Sequence, residues 1–190
     1  MPDTQWPRFM VFQQEAPGRP FVHNGTVHAP DIEMALQNAR DVFARRPEAV
    51  AMWVVPVDVI YTQTREELSK QVNKETSKQV DKQTGRPQDI STSGRQDFYV
   101  FAKFHHQDQC HHVGEVTATS LQAAMEAAIE KYDDLDPLWW WVFPKSAALS
   151  SAPRDTEPMF APAREKTFKD QAEYPVVTMM REIRAKRRKQ

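Results

Sequence analysis

The sequence predicts an α+β protein: two repeated strand-strand-helix-strand units that pack as an intramolecular pseudo-dimer, followed by an extended C-terminal tail. The first observation behind this is repetition. Phe9-Met10-Val11-Phe12 returns as Phe98-Tyr99-Val100-Phe101, Gly25 as Gly114, and Trp53-Val54 as Trp141-Val142, at an offset of 89 residues that falls to 88 after the helix. The second is a change of period within each copy, from short apolar runs to a helical stripe and back. The third is size. Each copy spans about 60 residues, so it buries a limited core, and a twin enlarges that core. Two copies fall short of the roughly three that a solenoid needs.

The first strand covers 8–13, and Pro17-Gly18 marks the turn after it. A second strand over 21–28 contains Gly25, whose missing side chain points to a bulge or a close backbone approach. The helix starts at Ala29-Pro30-Asp31, with Asp31 as cap and Glu33 complementing the positive helix end. Ile32, Ala35, Leu36, Ala39 and Phe43 form one apolar stripe, Arg45 and Arg46 fall in the last turn, and Pro47 stops the helix. Residues 51–57 are a buried third strand.

The second unit repeats the plan. Ser120 caps a helix whose stripe is Leu121, Ala124, Met125, Ala128 and Tyr132. Trp139-Trp140-Trp141-Val142-Phe143 is the last strand, and its tryptophans alternate sides, so at least one faces a sheet edge, a partner or solvent. The units occupy 1–64 and 97–146. Between them, 65–96 reads as a polar flexible linker with a small octad repeat, Ser69–Thr76 and Ser77–Thr84. Residues 147–190 read as an extended tail, Pro-rich and then basic.

Composition narrows the function. A formal net charge of -1 over 190 residues gives no global field for nucleic acid or an anionic membrane. The single cysteine, Cys110, excludes an intrachain disulfide. The start of the chain has no signal-peptide pattern and no segment is long and apolar enough to span a membrane, so a soluble cytoplasmic protein is expected. A di-iron carboxylate site needs Glu-x-x-His pairs on facing helices, and neither helix has one. His105, His106, Cys110, His111 and His112 cluster within eight residues, but their spacing matches no standard zinc signature. A polar hairpin tip is the favoured reading of that cluster over a metal site.

Certain residues carry a resemblance. Trp6-Pro7-x-Phe9-x-Val11-Phe12 is followed by Gly25-Thr-Val-His28-Ala29-x-Asp31-x-x-Met34-Ala35-Leu36-x-Asn38-Ala39-Arg40-Asp41, then Arg45-Arg46-x-Glu48 and Trp53-Val54-Val55. Over residues 6–60 this resembles the phenylacetic acid degradation B family (PaaB), the B subunits of multicomponent phenylacetyl-CoA 1,2-epoxidases. The second unit matches in outline, without the Asn-Ala-Arg-Asp run and the Arg-Arg pair, so the chain looks like a tandem version with a diverged second copy.

The resemblance implies a non-catalytic bridging subunit with no cofactor of its own. Its partners would be a catalytic subunit holding a di-iron centre and the structural subunit paired with it, with a second copy of this chain as a further candidate. The complex would epoxidise the aromatic ring of phenylacetyl-CoA with dioxygen. The alternatives are a regulatory or substrate-delivery component of a related di-iron oxygenase, or a metal protein built on the histidine cluster. The family motif and the last strand give the expected partner-binding residues: His28, Arg40, Asp41, Arg45, Arg46, Trp139 and Trp140.

Overall fold

The computed structural model describes residues 6–44, 49–68, 94–165 and 180–181. Its strands are β1 (Arg8–Gln14), β2 (Val22–His28), β3 (Ala51–Pro56), β4 (Tyr61–Thr64), β5 (Gln96–Lys103), β6 (His111–Ala118), β7 (Trp139–Pro144) and β8 (Leu149–Ser150). The helices are α1 (Ile32–Phe43), α2 (Leu121–Tyr132) and α3 (Thr156–Glu165). All these strands join one antiparallel sheet in the order β4-β7-β5-β6-β2-β1-β3-β8.

The local signals operate as expected. Asp31 accepts from Met34 N at 2.8 Å, and Ser120 Oγ accepts from Ala123 N at 3.2 Å, so each helix start is capped from its own sequence. α1 ends at Phe43, where the Ala44 N–H bonds the Arg40 carbonyl. Arg45 and Arg46 lie outside the described residues. Gly25 meets both of its alternatives at once, and Gly114 does the same in the second unit. The strand register shifts beside each of them, and helix aromatics lie over them: a Cβ on Gly25 would sit 2.8 Å from Phe43 Cζ, and one on Gly114 2.0 Å from Tyr132 Oη.

One face of the sheet is covered by helices. Phe9, Val11, Met52 and Val54 pack under Ala35, Leu36 and Ala39 of α1; Phe98, Val100, Trp140 and Val142 pack under Leu121, Ala124, Met125 and Ala128 of α2. The other face holds a third core of Phe12, Phe21, Val55, Phe101, Cys110 and Phe143. The ring centroids of Phe12 and Phe101 are 4.4 Å apart, although β2 and β6 lie between their strands. Three strand spacings on a flat sheet amount to about 14 Å. The sheet therefore curls until this face closes on itself. That explains why β1 and β5 are apolar on both sides: each feeds a helix-covered core and the shared aromatic core.

The units join at a short seam. Val22 pairs with His111, His23 N donates to the Cys110 carbonyl at 2.9 Å, and His112 N donates to the Phe21 carbonyl at 2.8 Å. The last two bonds exchange places under the 89-residue offset.

Two elements depart from the sequence reading. Each unit continues into a further short strand that pairs with the other unit: β4 with β7, and β8 with β3. Arg65, next to β4, fastens this exchange through Asp133 (3.0 Å) and Asp136 (2.8 Å) beside α2. Leu68 packs on the second unit's core, so the segment expected to be linker from residue 65 is structured through Leu68. The octad repeat lies outside the described residues.

The segment from 147, expected to be extended, is the second departure. It forms β8 and then α3, whose Phe160 is 2% exposed in the first unit's core. The helix forms although Pro162 lies in its interior, and two other prolines fall at the starts of elements. Pro153 opens a 3-10 turn and Pro158 sits in the first turn of α3, where a missing N–H costs little. The end of the tail, 182–190, is outside the described residues.

Candidate partner-docking surface

Of the expected partner-binding residues, His28, Arg40 and Asp41 are described around the first unit's helix, and Trp139 and Trp140 on the last strand. His28 Nδ1 lies 2.8 Å from the Trp6 carbonyl, and Asn38 Nδ2 donates to the His28 carbonyl at 3.1 Å. This draws the chain before β1, the end of β2 and the middle of α1 into one surface. Arg40 bonds its neighbour Asp41 through Nε (3.0 Å) and a terminal nitrogen (2.8 Å), so the two form a local, nearly neutral pair on the outer face of α1. Such an exposed pair adds little stability.

The last strand splits its tryptophans. Trp139 is 39% exposed beside Lys103 and His106, remote in sequence from the α1 surface. Trp140 is fully buried under α2, which makes it a core residue and not a contact. Alternation along a strand separates the two but does not say which side is covered.

Sequence reasoning missed the apolar part of the α1 surface. Trp6, Met34 and Val42 are 61%, 46% and 59% exposed. Met34, Asn38 and Val42 follow i, i+4, i+8 spacing along the flank of the buried stripe, and this second, partly apolar line is the signal that could have found it. The corresponding residues of the second unit are Ala123, Ala127 and Lys131.

The histidine cluster disperses. Cys110 is buried at the seam, and burial pushes its thiol up to about 12, which leaves it an unreactive core group. Among the described residues no three His, Cys, Asp or Glu side chains converge where a metal could sit, so no ligand set for a di-iron or zinc centre is assembled in them.

His23 and His112 occupy equivalent places in the shared core. His23 lies 4.8 Å from the Trp141 ring, and His112 lies 5.2 Å from Phe101. The Nε2 atom of each is buried with no hydrogen-bond partner among the described residues. Burial lowers both pKa values. Lys103 adds to this at His23 and Lys145 at His112, while Glu115 and backbone bonds at Gly25 and Gly114 oppose it.

A lowered folded-state pKa has a definite sign: below the unfolded value near 6.5, the unfolded chain binds the extra protons. The urea midpoint is therefore expected to hold above about pH 7 and to fall as pH drops through 6.5 towards the folded pKa values. The His23→Phe/His112→Phe variant should show a shallower fall. Parallel curves for variant and wild type would show that these rings do not govern the loss.

Comparison with known proteins fits this geometry. The family model for PaaB, phenylacetic acid degradation B, matches residues 5–87 and again 95–181, one match per unit and each running past the third strand. The chain is 40% identical over 67 residues to the B subunit of the 1,2-phenylacetyl-CoA epoxidase of Escherichia coli (strain K12), an alignment covering 35% of this chain and 70% of that protein. No solved structure gives a significant match. With both units matched, this chain belongs to the phenylacetic acid degradation B family, as a member that carries the family unit twice.

Proposed function

We propose that this chain is a non-catalytic bridging subunit of a multicomponent phenylacetyl-CoA ring epoxidase, docked on subunits that carry out the oxygen chemistry. The observation that carries this reading is the double family match together with identity to the B subunit of such an epoxidase. The fold supports it. The seam and the aromatic core consume the inner face within one chain, so the two units form an intramolecular pseudo-dimer. The outward surface of α1, with Trp6, Met34 and Val42 around the Arg40–Asp41 pair, remains available to a partner. Among the described residues no helix is long and apolar enough to cross a membrane.

Co-expression with the oxygenase subunits of such an epoxidase tests the reading. The full chain should co-purify in a fixed ratio, and the purified chain alone should contain no stoichiometric iron and turn over no phenylacetyl-CoA. Iron with turnover in this chain alone, or separate elution from the oxygenase subunits, would end it.

A further inference from the structure

We propose that the outer edge of β2, at Thr26 and His28, is a strand-docking edge that takes an extended, carboxylate-bearing segment of the oxygenase partner, and that the matching edge of β6 is closed to such a segment. The proposal rests on the bridging role above and specifies its contact.

β2 pairs with β6 only at Val22, so among the described residues no strand covers the rest of its outer edge. The same holds for β6, but there α2 plugs the gap. The Glu115 N–H donates to Tyr132 Oη at 3.1 Å, and the Glu115 carbonyl accepts from Lys131 Nζ at 3.0 Å. These bonds show that the Glu115 backbone points away from β5 and out of the ladder.

Thr26 holds the same place in the first unit. It stands opposite Met10 as Glu115 stands opposite Tyr99, and the register shift falls at the same point of each pair. Its N–H and C=O therefore point outward too. The residues that could plug them are Val42 and Phe43, in the positions of Lys131 and Tyr132, and neither side chain carries a hydrogen-bonding group. Two residues on, the His28 carbonyl takes the Asn38 amide, while its N–H shares the outward direction. An antiparallel segment laid here would bond both backbone groups of Thr26 and the N–H of His28, as a strand added to a free sheet edge does.

The surroundings differ in charge as well. In the second unit Asp97, Glu115 and Lys131 line one groove, and each is engaged: Thr117 Oγ1 donates to Asp97 at 2.8 Å, Lys145 bonds Glu115, and Lys131 holds the Glu115 carbonyl. The matching residues of the first unit are Arg8, Thr26 and Val42. Arg8 is exposed and has no ion pair among the described residues. Its guanidinium would take the carboxylate of the docking segment, and the exposed Val42 an apolar neighbour.

The test transplants the plug. In complexes of the full chain with the oxygenase subunits, V42K/F43Y should bind at least about tenfold more weakly than wild type, while K131V/Y132F should not bind more weakly. On formation of the wild-type complex, the Thr26 and His28 amides should slow in hydrogen exchange and the Glu115 amide should not. The exchange measurement needs no variant, so it decides the matter even if V42K/F43Y fails to fold. A wild-type complex in which Thr26 and His28 exchange as in the free chain overturns the docking edge and leaves the bridging role intact. Failure of wild type to bind at all overturns both.

Discussion

Phe12→Ala is expected to destabilise the protein by about 3–5 kcal/mol, the usual cost of emptying a large aromatic site in a packed core. Phe12 is fully buried, with ring centroids 4.4 Å from Phe101, 5.3 Å from Phe143 and 6.4 Å from Trp141. Those three rings belong to the second unit, so the cavity opens in the surface that joins the two copies. Phe101→Ala should cost a similar amount, and the double variant less than the sum, because the rings touch and share one cavity. Trp6→Ala, at an exposed aromatic, serves as the control and should stay within about 0.5 kcal/mol. Urea unfolding measures all four variants against wild type. A loss below about 1 kcal/mol for Phe12→Ala would mean that the inner face contributes little to the fold.

What the sequence reveals of this fold, and what it hides, divides along a physical line. The stripes Ile32–Phe43 and Leu121–Tyr132, their caps Asp31 and Ser120, and the close approach over Gly25 are local or periodic, and the structure has them where the residues put them. The exchanged strands are neither. Tyr61–Thr64 and Leu149–Ser150 are too short to show alternation, and their partners lie about 80–100 residues away in the chain. Phe160 illustrates the same limit, since a helix in a proline-rich stretch is stabilised by a distant core that composition does not display.

The surface is less legible than the core. Arg40 and Asp41 stand out in the sequence as charges, yet they satisfy each other, and what α1 offers is Met34 and Val42. Both are recognisable as apolar residues off the buried stripe. The open edge at Thr26 is not legible, because it depends on comparing two backbones that only the fold brings into equivalence.

Gly114→Ala should cost about 2–4 kcal/mol, more than any ordinary glycine-to-alanine change. Gly114 has φ of +155°, a backbone conformation that residues with a side chain rarely adopt. The new methyl would also lie 2.0 Å from Tyr132 Oη and 2.9 Å from its Cζ. The ring would have to swing away, and it would take with it the bond from the Glu115 N–H. Stiffening the unfolded chain offsets only about 0.4–1 kcal/mol of this. Gly25→Ala presents the same geometry with a milder clash, 2.8 Å from Phe43 Cζ and no hydrogen bond to lose, so it should cost less. Tyr132→Phe separates the causes. Removing the hydroxyl takes away the nearest clash but keeps the backbone conformation, so Gly114→Ala should cost less in the Tyr132→Phe background than in the wild type. Equal costs in the two backgrounds, measured by thermal or urea unfolding, would mean that the hydroxyl contributes nothing and would leave the backbone conformation and the ring carbons as the cause.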